Sequence, residues 1–114
     1  MTLDATLIKA LEPLGMPVSP NVYTGDERVY CVFNYTEYPE LFGDNLPEMV
    51  RYVLQVHLFM PQGINPNDLK RAVKKALVSG LDGTAPYIVN ASDEISQHYT
   101  FEMSVVMAED DYNG

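Results

Sequence analysis

Tyr52-Val53-Leu54-Gln55-Val56-His57-Leu58-Phe59-Met60-Pro61 is the stretch whose reading decides the fold. Tyr52, Leu54, Val56, Leu58 and Met60 occupy one parity and are all apolar. The other parity mixes Val53 and Phe59 with Gln55 and His57. Successive side chains of a β-strand point to opposite faces, so this alternation predicts a strand with one wholly apolar face and one half-apolar face. Such a strand belongs in the middle of a sheet, its second face covered only in part, by the first helix or by another subunit.

Working outward, Leu3, Leu7, Ile8, Leu11 and Leu14 recur at helical spacing and predict an amphipathic N-terminal helix, capped by Thr2 or Asp4 and ended by Pro13, Gly15 and Pro17. Gly25-Asp26 reads as the turn of a hairpin between Asn21–Thr24 and Glu27–Tyr35. In the second of these strands Val29, Cys31, Phe33 and Tyr35 share one side, with Tyr30, Val32, Asn34 and Thr36 on the other. Residues 37–48 hold two prolines, a Gly43-Asp44-Asn45 turn and four large apolar side chains, Tyr38, Leu41, Phe42 and Leu46. They read as a long loop that either tucks under its own domain or projects as an arm onto a neighbour.

Beyond Pro61-Gln62-Gly63, Asn65 as N-cap and Pro66 at the first helical position start a second helix, with Leu69, Ala72, Val73, Ala76 and Leu77 as its core stripe and Gly80 at its end. Its other face carries Lys70, Arg71, Lys74 and Lys75, four of the chain's seven basic residues. Tyr87-Ile88-Val89 predicts a short strand. The stretch from Ile95 to Ala108 predicts a long one, with Ile95, Tyr99, Phe101, Met103, Val105 and Met107 on one face (Gln97 the exception) and Ser96, His98, Thr100, Glu102 and Ser104 on the other. Glu109-Asp110-Asp111-Tyr112-Asn113-Gly114 is expected to be a mobile acidic tail. These elements sum to one α+β domain over 1–114: a largely antiparallel, mixed sheet of four to five strands, an amphipathic helix on one face and a short N-terminal helix.

A formal net charge of -9 opposes general nucleic-acid binding and binding to anionic membranes. Cys31 is the single cysteine, which excludes an internal disulfide. No apolar run reaches the ~20 residues of a membrane span, and the first residues lack a signal peptide's apolar core; a soluble, cytoplasmically made protein is expected. Phosphate loop, nucleophile elbow and dinucleotide fingerprint are all missing, so neither enzymatic activity nor a cofactor is expected. His57 and His98 are the only histidines. They approach each other if the central and last strands pair in the right register, yet without a patterned carboxylate or cysteine they do not predict a metal site.

Three blocks carry a family resemblance: Asn34-Tyr35-Thr36-Glu37-Tyr38-Pro39, Phe42-Gly43-Asp44-Asn45 and Tyr52-Val53-Leu54-Gln55-Val56-His57-Leu58-Phe59. Followed by the Lys/Arg-rich helix and the strand around His98-Tyr99-Thr100-Phe101-Glu102, they resemble the small tail-completion or tail-terminator proteins of long-tailed bacteriophages and prophages. The resemblance implies a virion protein that forms a ring, commonly a hexamer, capping the tail tube and joining it to the head connector. Its partners would be itself and the tail-tube and connector proteins, with DNA only passing through the lumen. The candidate contact residues are Tyr38, Leu41, Phe42, Lys70, Arg71, Lys74, Lys75 and Phe59. Three other readings stand beside it: another head-completion or tail-tube subunit, a small ligand-binding α+β module with a pocket around Tyr30, Gln55 and His57, and a metal-dependent enzyme.

Overall fold

The computed structural model describes residues 2–40 and 49–108. In chain order it contains α1 (Leu3–Leu11), a 3-10 turn (Glu12–Leu14), β1 (Val18–Pro20), β2 (Tyr30–Glu40), β3 (Met49–Pro61), α2 (Asn67–Gly80), β4 (Tyr87–Asn90) and β5 (Ser96–Ala108). The five strands form a mixed sheet ordered β1-β2-β3-β5-β4. β1 and β2 run parallel and every other neighbouring pair is antiparallel. This is the expected α+β architecture, with β3 at its centre.

The apolar parity of β3 sets the core. Leu54, Val56 and Leu58 are fully buried, beside Phe33 on β2 and Phe101 on β5. The register aligns Phe33, Val56 and Phe101 in one row and Cys31, Leu58 and Tyr99 in the next. Both helices lie on this face. Leu3, Leu7 and Leu11 of α1 and Val73 and Leu77 of α2 join the same cluster, their i, i+4 spacing giving each helix one buried stripe. The Thr2 hydroxyl caps α1 by accepting from the Ala5 amide at 3.2 Å, and the Tyr35 hydroxyl donates to Asp4 at 2.6 Å, tying β2 to that helix. At α2 the N-cap is Pro66, without a side-chain cap, and not Asn65; the Asn65 side-chain oxygen accepts from the Asn67 amide at 3.0 Å in a local turn. Pro66 precedes the first helical residue instead of occupying it.

Four further expectations are corrected. Residues 21–24 form no strand, and no hairpin spans Gly25-Asp26. The strand pairing with β2 is Val18–Pro20, and it runs parallel. Asn21 adopts a left-handed φ of 65° just after Pro20, which turns the chain off the sheet edge and sends residues 21–29 across its face. Secondly, Glu37–Glu40 are paired strand, facing Met49–Tyr52. Pro39 is tolerated because β1 covers β2 only from Cys31 to Phe33, so Pro39 lies on an open edge where its missing N–H costs no ladder bond. Thirdly, Ile95 precedes β5 and is 85% exposed. Lastly, the first helix does not cover the second face of β3, since it packs with α2 on the apolar one. Leu41, Phe42, Leu46 and the acidic tail lie outside the described residues.

Candidate functional site on the open sheet face

The sheet face away from the helices carries the polar-mixed parity: Tyr30, Val32, Asn34, Thr36 and Tyr38 of β2; Arg51, Val53, Gln55, His57 and Phe59 of β3; and His98, Thr100, Glu102, Ser104 and Val106 of β5. Register divides it into two regions.

Toward the Pro61 end, aromatic rings cross the strands in a row. Tyr23, from the loop after β1, lies 4.5 Å from Tyr30 between ring centroids. Tyr30 stacks on Phe59 at 5.0 Å, and Phe59 on His98 at 4.2 Å. The loop holds Tyr23 closely: its hydroxyl accepts from the Glu27 amide at 3.0 Å. A Cβ on Gly25 would come within 2.2 Å of that hydroxyl, so a side chain there would push the Tyr23 ring out of its place. Loop and sheet enclose a groove of about 340 Å³, lined by Val22, Tyr23, Tyr30, Asn34, His57 and His98 among others.

A polar chain runs along the groove floor. The Asn34 amide nitrogen lies 3.0 Å from His57 Nε2, and His57 Nδ1 lies 2.8 Å from His98 Nε2. Thr100 Oγ1 sits 3.3 Å from His57 Nδ1 and 3.5 Å from His98 Nε2. Burial lowers the pKa of both imidazoles; the neighbouring His98 lowers His57 further, while Glu102 opposes the shift at His57 and Asp93 at His98. Both rings are therefore neutral near pH 7 and one N–H bridges them. Next along the face, the Gln55 amide donates to Glu102 at 2.8 Å, and a hydrogen bond to Glu102 raises the pKa of exposed Tyr87.

At the other end Tyr38 pairs with Arg51, which pairs with Val106. Val53 is two residues along on the same face. Tyr38 is 51%, Val53 39% and Val106 41% exposed, so three large apolar side chains share one solvent-facing patch around Arg51.

The predicted contact residues thus separate. Tyr38 and Phe59 lie on the open face at opposite ends, while the basic residues lie on α2 behind the sheet. Lys70 sits over the Tyr99 ring at 4.4 Å, a cation–π contact that occupies it within the fold. Arg71 and Asp68 form an exposed pair at 3.7 Å, which adds little to stability. Lys74 and Lys75 are exposed. Lys70, Arg71 and Lys74 flank a second groove with Ile88 of β4. Tyr23 and Val106 were not read from the sequence as surface features. Tyr23 joins the aromatic row through a loop crossing that no periodicity encodes, whereas Val53 was legible as the apolar member of the mixed parity.

Among the described residues no group of three or more His, Cys, Asp or Glu side chains converges as a metal centre. None of their helices is long and apolar enough to cross a membrane. No protein-family model matches the chain, and no curated protein matches it either.

Proposed function

We propose that this chain is a self-associating structural subunit of a bacteriophage tail or head-tail neck, of the tail-terminator or tail-completion kind that Asn34–Phe59 resembles. The observation that carries the reading is the one-sided sheet: both helices cover one face, and the other presents Tyr38, Val53 and Val106 together in solvent. Three exposed apolar side chains gathered around Arg51 are the kind of surface that favours contact with another protein. A strand ladder as long as β3–β5, thirteen residues on each strand, offers a stiff face against which a second copy can pack. In a ring, each subunit meets its neighbour through two different surfaces, and the open face and the basic side of α2 are two such surfaces. The acidic balance suits a ring wall along which DNA slides without adhering.

Light scattering after gel filtration, with negative-stain imaging in the presence of tail tubes, tests this. Rings or capped tubes support the assignment. Filaments point instead to a tube subunit. A chain that stays monomeric at high concentration and leaves tubes uncapped refutes it.

The groove of about 340 Å³ under Tyr23 favours a second reading, a small-ligand module. Aromatic walls with a few polar groups are the usual lining of such sites. A melting-temperature shift with a metabolite panel, in a protein that stays monomeric, would favour it.

A further inference from the structure

We propose that copies of this chain join edge to edge, β4 of one adding antiparallel to the uncovered half of β2 in the next. The inference rests on the self-association reading and names the contact through which it occurs.

Both edges are open. β1 covers β2 only from Cys31 to Phe33. On that side the Cys31 amide donates to the Pro17 carbonyl at 2.9 Å, and the Phe33 carbonyl accepts from the Asn21 amide at 2.9 Å. The odd-numbered residues of β2 therefore turn their backbone groups away from β3. Tyr35 and Glu37 continue that parity with no strand beside them among the described residues. On β4 the Ala91 amide donates to the His98 carbonyl at 2.8 Å. The alternation of an antiparallel ladder then turns the Ile88 and Asn90 backbone groups outward. Unpaired edges of this kind are templates for a further strand.

Three antiparallel steps separate β2 from β4, so the two run in opposite senses. A neighbour generated by rotation about an axis along the strands presents its β4 antiparallel to β2 and keeps its helices on the same side. That is the head-to-tail relation from which a ring closes. One register satisfies the backbone best. Pairing Tyr35 with Asn90 and Glu37 with Ile88 of the next copy gives each outward amide a carbonyl. A slide of the pairing in one direction meets Pro39, which has no N–H to offer. In the other direction it meets Phe33, whose carbonyl is already taken.

The side chains agree with that register. On the open face Tyr38 comes opposite Tyr87 and Thr36 opposite Val89. Tyr38, Tyr87 and Val89 are all exposed in the single chain, and the junction lets them cover one another. On the helix face Glu37 comes opposite Ile88, which shares a groove with Lys70, Arg71 and Lys74. The β2 edge carries acids on that face, Glu37 and the Asp4 that accepts from the Tyr35 hydroxyl, so opposite charges meet. Pairing β2 with a second β2, or β4 with a second β4, brings like charges together. Exposed pairs add little affinity; here they select head-to-tail over two-fold association.

Backbone hydrogen exchange of the intact chain at low and high concentration tests the junction directly. The Tyr35, Glu37, Ile88 and Asn90 amides should exchange freely in the dilute monomer and slow by at least about tenfold as the oligomer forms. An oligomer that leaves these amides unprotected overturns the edge pairing while self-association stands. A chain that is monomeric at every concentration overturns both. Cross-linking gives a second readout, since native Cys31 is buried. The double variant Thr36→Cys with Val89→Cys should form, on oxidation, a ladder of covalent oligomers beyond the dimer that reductant collapses. Thr36→Cys alone should give none. Dimers from that single variant would assign the edge to a second β2, and a double variant that associates without a ladder would exclude the register; either result overturns the proposal.

Discussion

Gln97 breaks the apolar parity of β5, and the structure shows what it does there. Its side chain is buried. Nε2 donates to the carbonyls of Pro61 at 3.1 Å and Ile64 at 2.7 Å, and Oε1 accepts from the Tyr99 hydroxyl at 2.6 Å. One amide therefore satisfies the chain where it leaves β3. Gln97→Leu keeps the bulk but strips partners from two carbonyls and a buried hydroxyl. It should cost about 1–3 kcal/mol, read as a lower urea midpoint with the slope unchanged. Cys31 makes the opposite case. Burial pushes its thiol up to about 12, so it should resist alkylation at pH 8 in the native protein and react only on unfolding. For the histidines the direction of linkage is set by lowered folded-state pKa values. The unfolded chain takes up protons near pH 6.5 before the folded chain does. Stability should be highest above pH 6.5 and fall as the pH drops below it, levelling once the folded pKa values are passed. Urea midpoints between pH 8 and 5 measure this, and His57→Gln should flatten the slope.

At the scale of elements, what could be read from sequence was what a single strand or helix encodes by itself. The alternation of β3 and β5 and the stripes of α1 and α2 survive intact because each is a local period imposed by one buried face. The direction of β1 was not legible. Parallel pairing over three residues depends on the left-handed Asn21 turn and on where the loop lands, and neither leaves a periodic trace. Pro39 misled for a related reason: a proline argues against a strand only when both edges are paired, and edge exposure is a property of the sheet. The approach of His57 to His98 was conditional on register, which only the assembled sheet fixes. Helix packing supplies its own test at Gly80, the last residue of α2. Alanine is usually worth about 1 kcal/mol over glycine in a helix. Here a Cβ would come within 2.6 Å of the Ala10 Cβ on α1, so the helices meet through the missing methyl. Gly80→Ala should therefore lower the melting temperature, against the propensity rule, and pairing it with Ala10→Gly should recover part of the loss.

For the whole molecule, two candidate contact surfaces obey opposite physics. If copies associate mainly through the apolar patch of Tyr38, Val53 and Val106, bodies each carrying a formal charge of -9 must approach against their mutual repulsion. Salt then helps, because the screening length falls from about 30 Å at 0.01 M to about 10 Å at 0.1 M. If the basic side of α2, with Arg71, Lys74 and Lys75, instead meets acidic groups of a neighbour, salt screens an attraction and association weakens. The open face is the better-supported surface, because Lys70 is occupied by Tyr99 while Tyr38, Val53 and Val106 stand exposed. Sedimentation velocity from 20 to 500 mM NaCl should accordingly show the oligomer fraction rising with salt. Val53→Asp places a charge in the patch; on a central strand the exchange of a β-branched residue for Asp should cost about 1 kcal/mol of folding stability, and it should leave a folded monomer at every salt concentration. Phe59→Asp should disrupt both folding and assembly, because its ring is wedged between Tyr30 and His98. An oligomer that dissolves as salt rises, and that Val53→Asp leaves intact, would move the contact from the sheet to α2.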